Sequence, residues 1–334
     1  MFAGEQDPMY PRGDPEGRDA LVRRESWEHR DAVVRVGPLA TKDPMEDREP
    51  RMTGNPGIPW DRPADRTLGR PAAPHVTAVV NHKGGSGKTT AVVNLAAALA
   101  ERDWRVLVVD LDPQCTATRW LGFEPLSEQG LSRLLAGRAR IEDLTVVTDA
   151  EGLDLVPGDD WLEIAERRDF EGAAVPQLAL GRALDTGEKA HHLVLIDTPG
   201  RLSLLTIAAL AAADSVCTPV PASAMELEHL SDLDQTIAEV RAINPDLAWP
   251  WLVPWAVDVR TVLARDVMAR LRATHPQRLL PVSVRKSVRA AEAFAHRQPL
   301  TAFAPDHPLT DDFRRLAVRI EEGACLAHAS RTAI

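Results

Sequence analysis

Residues Val76–Thr90 read VTAVVNHKGGSGKTT. A β-branched apolar run ends at Asn81 and a glycine-rich turn follows. Lys88, Thr89 and Thr90 then open a segment with helical spacing, AVVNLAAALAE. Strand, glycine loop and helix in that order are the context a phosphate-binding loop requires. Gly84, Gly85 and Gly87 allow positive φ and let the backbone approach an anion with no Cβ in the way. Backbone N–H groups from Gly84 through Ser86 to Thr90, with the positive end of the helix, then converge on phosphate oxygens. Lys88 supplies a full charge to the outer phosphates. Thr89 supplies a hydroxyl for Mg²⁺, a hard ion that prefers oxygen ligands.

Three acids stand at the ends of apolar runs. Asp197 follows LVLI and suits a Walker B residue, holding Mg²⁺ directly or through water. Asp110 and Asp112 close the run VLVVDLD, after which Pro113 forces a turn. Two apart on a strand, they are expected to share a face, so that both turn toward the phosphates.

Outward from the loop, apolar runs alternate with helical patterns. Strands are expected at Arg105–Gln114, Gly152–Asp160, His192–Gly200, Asp214–Ser223 and Trp249–Asp258. The prolines of the last favour an edge or an irregular run. Helices are expected at Gly130–Gly137, over Glu163–Gly187 with breaks near Gly172 and Pro176, and at Ala224–Ile243, Thr261–Thr274, Val288–His296 and Thr310–Gly323. The fold class is therefore α/β, a doubly wound, mostly parallel sheet flanked by helices, with ligands at the carboxyl ends of the strands. Pro219, Pro221 and Asp258 lie at such ends and are candidates for the adenine pocket. Residues 1–74 read as a disordered arm: they hold 11 of the 26 prolines, and residues 1–70 carry 12 Lys/Arg against 14 Asp/Glu. One island, Arg18–Val36, has the makings of a helix on binding. The ATPase domain is expected over 75–325, with a short tail at 326–334.

The 334-residue chain is 44% hydrophobic and 26% charged, the composition of a soluble globular protein. No run reaches the ~18 apolar residues of a membrane span, and no secretory leader is evident. Cys115, Cys217 and Cys325 are far apart, which points to a reducing cytoplasm and away from a zinc site. The net charge of −10 hides an asymmetry. Arg260–Arg297 contains nine Lys/Arg against two acids, a local +7 on an otherwise acidic body. Arg265 and Arg272 are seven apart, hence on one helix face, with Val262, Leu263, Val267 and Leu271 as the opposing apolar stripe. Arg285, Lys286 and Arg289 form a second cluster. Such a stretch suits sequence-independent contact with DNA phosphates. The scarcity of aromatics argues against single-strand stacking.

The phosphate loop departs from G-x-x-x-x-G-K-[ST]: His82 stands where the first glycine would be, and a second lysine, Lys83, precedes the glycine pair. KGGSGKTT resembles the deviant Walker A motif of the ParA/MinD family of P-loop NTPases. RVLVVDLDPQCTAT, LVLIDTPG, TPVPASAMELEHL and AVDVRT resemble its following segments, and the likeness covers most of residues 76–323. The resemblance implies a Mg²⁺-dependent ATPase whose active form is a homodimer sandwiching two ATP molecules. On it, Lys83 reaches the opposite subunit, Asp112 positions the attacking water, and Asp110 and Asp197 serve the metal. It further implies non-specific binding of double-stranded DNA in the ATP form, stimulation by a ParB-like centromere-binding protein, and a cytoplasmic, nucleoid-associated location without membrane attachment. Cys115, Thr116, Gly200 and Ser86 depart from the residues usual there, and none removes a phosphate or metal ligand. Two other readings share the chemistry: an ATP-switched positioning protein for a non-DNA cargo, and a regulator that binds nucleotide without hydrolysing it.

Overall fold

The structure, a computed structural model, describes residue 71 and residues 73–332, apart from 126–129, 164–177, 188–189, 224–225 and 259. The arm up to residue 70, with its Arg18–Val36 island, lies outside the described residues, as does most of the stretch expected to be helical after Glu163.

The apolar runs become strands: β1 (His75–Val79), β2 (Val106–Asp110), β3 (Val146–Val147), β4 (Leu153–Val156), β5 (Leu193–Asp197), β6 (Ser215–Pro221) and β7 (Ala248–Trp255). They form one sheet in the order β3-β4-β2-β5-β1-β6-β7. Every pairing is parallel except that of the short β3 on β4. In β1, β2 and β5 every residue is buried. Alternate side chains enter opposite layers, as strand geometry dictates. Val76, Ala78, Leu107, Val109, Val194 and Ile196 join one core. Val79, Val106, Val108, Leu193 and Leu195 join the other. The first is covered by the helix Leu204–Ala212, through Leu205 and Ala209, and by the helix Glu226–Val240, through Leu233 and Ile237. The second is covered by α1 (Lys88–Ala100), through Val92, Leu95 and Leu99, and by the helix Pro308–Thr332, through Phe313, Leu316 and Ile320. Each buried Val, Leu, Ile or Phe among them contributes about 1.5–3 kcal/mol by leaving water. No helix among the described residues is long and apolar enough to cross a membrane.

The proline-bearing strand β7 lies at the sheet edge, as its sequence suggests, yet the edge is not bare. The chain near residues 278–285 lies along it: Leu280 N–H donates to Leu252 O at 2.9 Å and Val284 N–H to Pro254 O at 2.8 Å. Pro219 sits inside β6, between β1 and β7. Its carbonyl faces the β1 side, where it accepts from Asn81 Nδ2 at 2.8 Å. The N–H it lacks would face the same way, next after the bond from Val80 N–H to Cys217 O, and the β1–β6 ladder stops there.

The last helix runs on to Thr332, through the stretch expected as a tail. Gly323, the expected end of that helix, lies inside it. It is a close-approach site instead: a Cβ there would lie 2.4 Å from Trp251 Cζ2. Gly323→Ala is expected to lower stability by about 1–3 kcal/mol in denaturant titrations. Adding Trp251→Leu should recover part of the alanine's specific cost, because the smaller side chain makes room for the methyl.

Candidate active site

The site grows from the register of three adjacent strands. Val79 of β1 and Asp110 of β2 both pair with Asp197 of β5, so the three strands end side by side. The chain leaving β1 is the glycine loop. Asn81 pins its start: buried, it accepts from Lys83 N–H at 2.9 Å while Nδ2 holds Pro219. Gly87, at φ 94°, is the N-cap of α1, and among the described residues no side chain caps that end. The first N–H groups of α1 therefore lack intrahelical partners and are free to bind an anion. Gly87 is also sterically fixed, since a Cβ there would lie 2.0 Å from Trp255 Nε1. Trp255 in turn packs edge-on against Phe313 of the last helix, with ring centroids 5.8 Å apart.

A cavity of about 570 Å³ opens at this point, within the range of small-ligand sites. Gly84, Gly85, Gly87, Lys88, Thr89 and Thr90 line it from the loop, and Asp112 and Arg201 from the turns after β2 and β5. A second cavity, of about 530 Å³, lies where the far end of α1 meets Arg297–Ala302, and none of the motif residues reaches it. Lys88 is buried, and its Nζ donates to Lys83 O at 3.1 Å. Burial lowers its pKa, while Asp197 and Asp112 act in the opposite direction. Ser86 is buried and does not line the cavity, and its Oγ is without a partner among the described residues.

The two acids of the second run do not share a face. Asp110 ends β2 and turns inward, where its Oδ2 accepts from Thr118 N–H and Oγ1–H, both at 2.7 Å. Thr118 Oγ1 in turn accepts from Gly158 N–H at 3.0 Å. Asp112 lies beyond the strand end, where the two-residue period no longer holds, and it lines the cavity. Its Oδ1 accepts from Gln114 N–H at 2.9 Å, which shapes the turn. Desolvation raises the Asp110 pKa to about 6, outweighing the Thr118 bonds.

Asp197 is the contrast. Both its oxygens are buried, and neither has a partner in bonding geometry among the described residues. Burial first, and the neighbouring Asp110 second, push its pKa well above the usual range, opposed by the Thr89 hydroxyl and the Lys88 charge. A bare, buried carboxylate beside a hydroxyl and an anion-binding helix end fits a hard divalent cation held jointly with phosphate.

The adenine candidates do not reach the cavity wall. Pro219 is buried inside the sheet, Pro221 pairs with Trp255, and Asp258 is clamped by Arg260 at 2.8 and 2.9 Å. Arg260 lowers the Asp258 pKa to about 2. The basic stretch divides into two kinds. Arg265 and Arg272 are exposed on the helix Val262–Thr274, with no ion pair among the described residues, and Lys286 is exposed nearby. Arg285, by contrast, makes a two-point pair with the buried Asp312 at 2.6 and 2.9 Å, and Arg289 pairs with Glu292 at 2.9 Å. The expected apolar stripe is partly wrong. Val262 and Leu263 are 63% and 55% exposed, because the face centred on Val267 and Leu271 takes in Ala264 and Met268 instead. Sequence reasoning missed Arg201 and Trp255. The glycine at 200 was the available signal for the first.

A protein-family profile described as an AAA domain matches residues 74–249. The chromosome-partitioning ATPase Soj of Thermus thermophilus is 39% identical over 246 residues, covering 73% of this chain and 94% of that protein. The sporulation initiation inhibitor protein Soj of Bacillus subtilis is 36% identical, covering 69% and 91%. Among solved structures, cobyrinic acid a,c-diamide synthase from Mycobacterium smegmatis, with bound ADP and magnesium, is 33% identical with a TM-score of 0.60, covering 67% and 91%.

In the ligand-free protein the Asp197 charge is a cost. With its folded pKa raised, its contribution to stability is full below the ordinary value of 3.8 and is lost as pH rises through the folded value. Asp197→Asn does not titrate. It should therefore raise ligand-free stability at pH 8 by about 1–3 kcal/mol, a gain that fades toward pH 4. The variant should also lose the extra thermal stabilisation that Mg²⁺ adds to nucleotide. Melting curves across pH, with and without Mg²⁺ and ADP, check both outcomes.

Proposed function

The chain belongs to the ParA family of chromosome-partitioning ATPases, and we propose that it is an ATP-switched partition protein that assembles as a dimer on DNA. One observation supports the chemistry most directly: buried Lys88, bare Asp197 and cavity-lining Asp112 converge beside the uncapped start of α1. Backbone N–H groups of Gly84 to Thr90 hold the phosphates of ATP, and Lys88 neutralises their charge. Asp197 and Thr89 would hold Mg²⁺, with Asp110 behind them through water. When bound, the metal draws charge from the phosphate oxygens. Asp112, fixed by its turn, orients the attacking water. Phosphoryl transfer asks mainly for positioning and charge stabilisation, which these groups supply. Turnover is slow, as suits a switch.

Lys83 is the residue that reaches across to a second subunit, so the ATP form is a sandwich dimer and hydrolysis releases it. The dimer doubles the number of exposed basic side chains, Arg265, Arg272 and Lys286, offered to DNA phosphates. Arg285 and Arg289 contribute less, because their charges already serve Asp312 and Glu292. A ParB-like centromere-binding protein stimulates the cycle, and the protein works in the cytoplasm on the nucleoid. That two of the five assigned cations are engaged favours, as a second reading, a positioning protein whose cargo is not DNA. The ATPase domain begins at residue 75, and its last helix carries it past the expected boundary at 325 to Thr332.

Lys83→Ala should bind ATP yet stay monomeric in sedimentation. Asp112→Ala should accumulate as an ATP-bound dimer with little turnover, because positioning water acts in the transition state. Wild-type hydrolysis and dimerisation by Lys83→Ala would overturn the role given to that lysine. DNA binding is tested by salt titration on two unrelated duplexes with ATP and with ADP. Binding should need ATP and fall by about 0.9 log units per log unit of salt for each phosphate neutralised. Arg265→Glu with Arg272→Glu should weaken both duplexes alike. An absence of ATP-dependent binding at low salt leaves the non-DNA cargo.

A further inference from the structure

The cavity has a second cation on its wall. Arg201 follows Gly200 in the turn after β5, and it lines the same space as Lys88, Thr89 and Asp112. Two features hold it there. A Cβ at Gly200 would lie 3.0 Å from Gly84 Cα and 3.1 Å from Gly84 N, so this turn rests directly on the phosphate loop. A side chain at 200 would require the phosphate loop to give by a few tenths of an ångström. Behind it, Thr206 Oγ1–H donates to Arg201 O at 2.8 Å, and Ser203 caps the helix Leu204–Ala212 through the Thr206 N–H at 3.4 Å. The backbone at Arg201 is thus anchored on one side by a capped helix and on the other by the loop, and the residue is exposed and lines the cavity.

We propose that Arg201 is a further catalytic residue, whose guanidinium engages the terminal phosphate of bound ATP in the same subunit. This rests on the nucleotide-hydrolysis reading above and adds a residue to it. In the reaction, a water oxygen bonds to the terminal phosphorus and the bond to the ADP oxygen breaks. ADP leaves with the electron pair, and the water proton passes to phosphate or solvent. Negative charge spreads over the terminal oxygens as this happens. A guanidinium is always charged and presents a planar fork that matches two phosphate oxygens, which a single ammonium does not. Lys88 emerges from the loop and Arg201 from the turn after β5, so the two cations approach the phosphates from different elements.

A contact with the terminal phosphate separates ATP from ADP. The test is calorimetric binding of ADP and of a non-hydrolysable ATP analogue, each with Mg²⁺, to full-length wild type, Arg201→Ala and Arg201→Lys. Arg201→Ala should weaken the ATP analogue about 10-fold or more while ADP affinity stays near that of wild type. Arg201→Lys should fall between, and in steady state kcat should drop more than KM rises. If Arg201→Ala binds both nucleotides like wild type, or loses both equally while its melting curve is unchanged, Arg201 does not touch the terminal phosphate. Should the alanine variant unfold, Arg201→Lys decides: equal losses for the two nucleotides, or none, overturn the proposal. A wild type that binds neither nucleotide would sink the hydrolysis reading itself.

Discussion

The lateral pairing of β2, β5 and β1 is the constraint on which the rest depends. It sets Asp110 opposite Asp197 and ends β1 beside them. Two carboxylates are thereby brought together at the dry end of a sheet, where each loses water and feels the other's charge. Such burial is costly, several kcal/mol per ion even after relaxation. The two apolar layers that cover the sheet stabilise the arrangement, and Lys88 offsets part of the charge. The site is locally unfavourable without its ligand, which is how a fold stores affinity for a divalent cation and a polyphosphate.

The same strand-end position is used in two ways. Asp110 is satisfied by Thr118, and through Thr118 it ties the turn after β2 to Gly158 after β4. Asp159 extends this tie, accepting from Gly130 N–H and Ser132 N–H at 3.0 and 3.1 Å. Among the described residues Asp197 has nothing comparable. One carboxylate braces the segments around the site, and the other is left with its lone pairs unspent.

Much of this was legible in the sequence. Buried parallel strands are continuous apolar runs, and a glycine loop between strand and helix has few other uses, so the doubly wound sheet and the loop at its centre could be read directly. What was not legible depends on distances between segments far apart in the chain. The inward turn of Asp110 follows from Thr118, and periodicity carries no information past a strand's last residue. The burial of Met268 in place of Leu263 is a matter of helix phase, which a few apolar residues on both flanks leave open. The pairing of Arg285 with Asp312 joins residues on different elements, and a count of charges along the chain cannot see it. Gly323 illustrates the limit most plainly: a turn former by type, it lies inside a helix because of an indole on β7.

That indole has a counterpart. Trp251 and Trp255, four apart on β7, each press on a glycine of a helix or its cap, Gly323 and Gly87. The two pairs have different histories open to them. At Gly323 the constraint is mutual: if the tryptophan shrinks first, the glycine becomes free to grow, and the reverse order passes through a clash. At Gly87 the backbone, at φ 94°, demands glycine whatever stands opposite. Trp255 can therefore drift to smaller side chains without releasing its partner. One contact works as a ratchet with a permitted order of substitutions, whereas the other moves only on the side of the tryptophan.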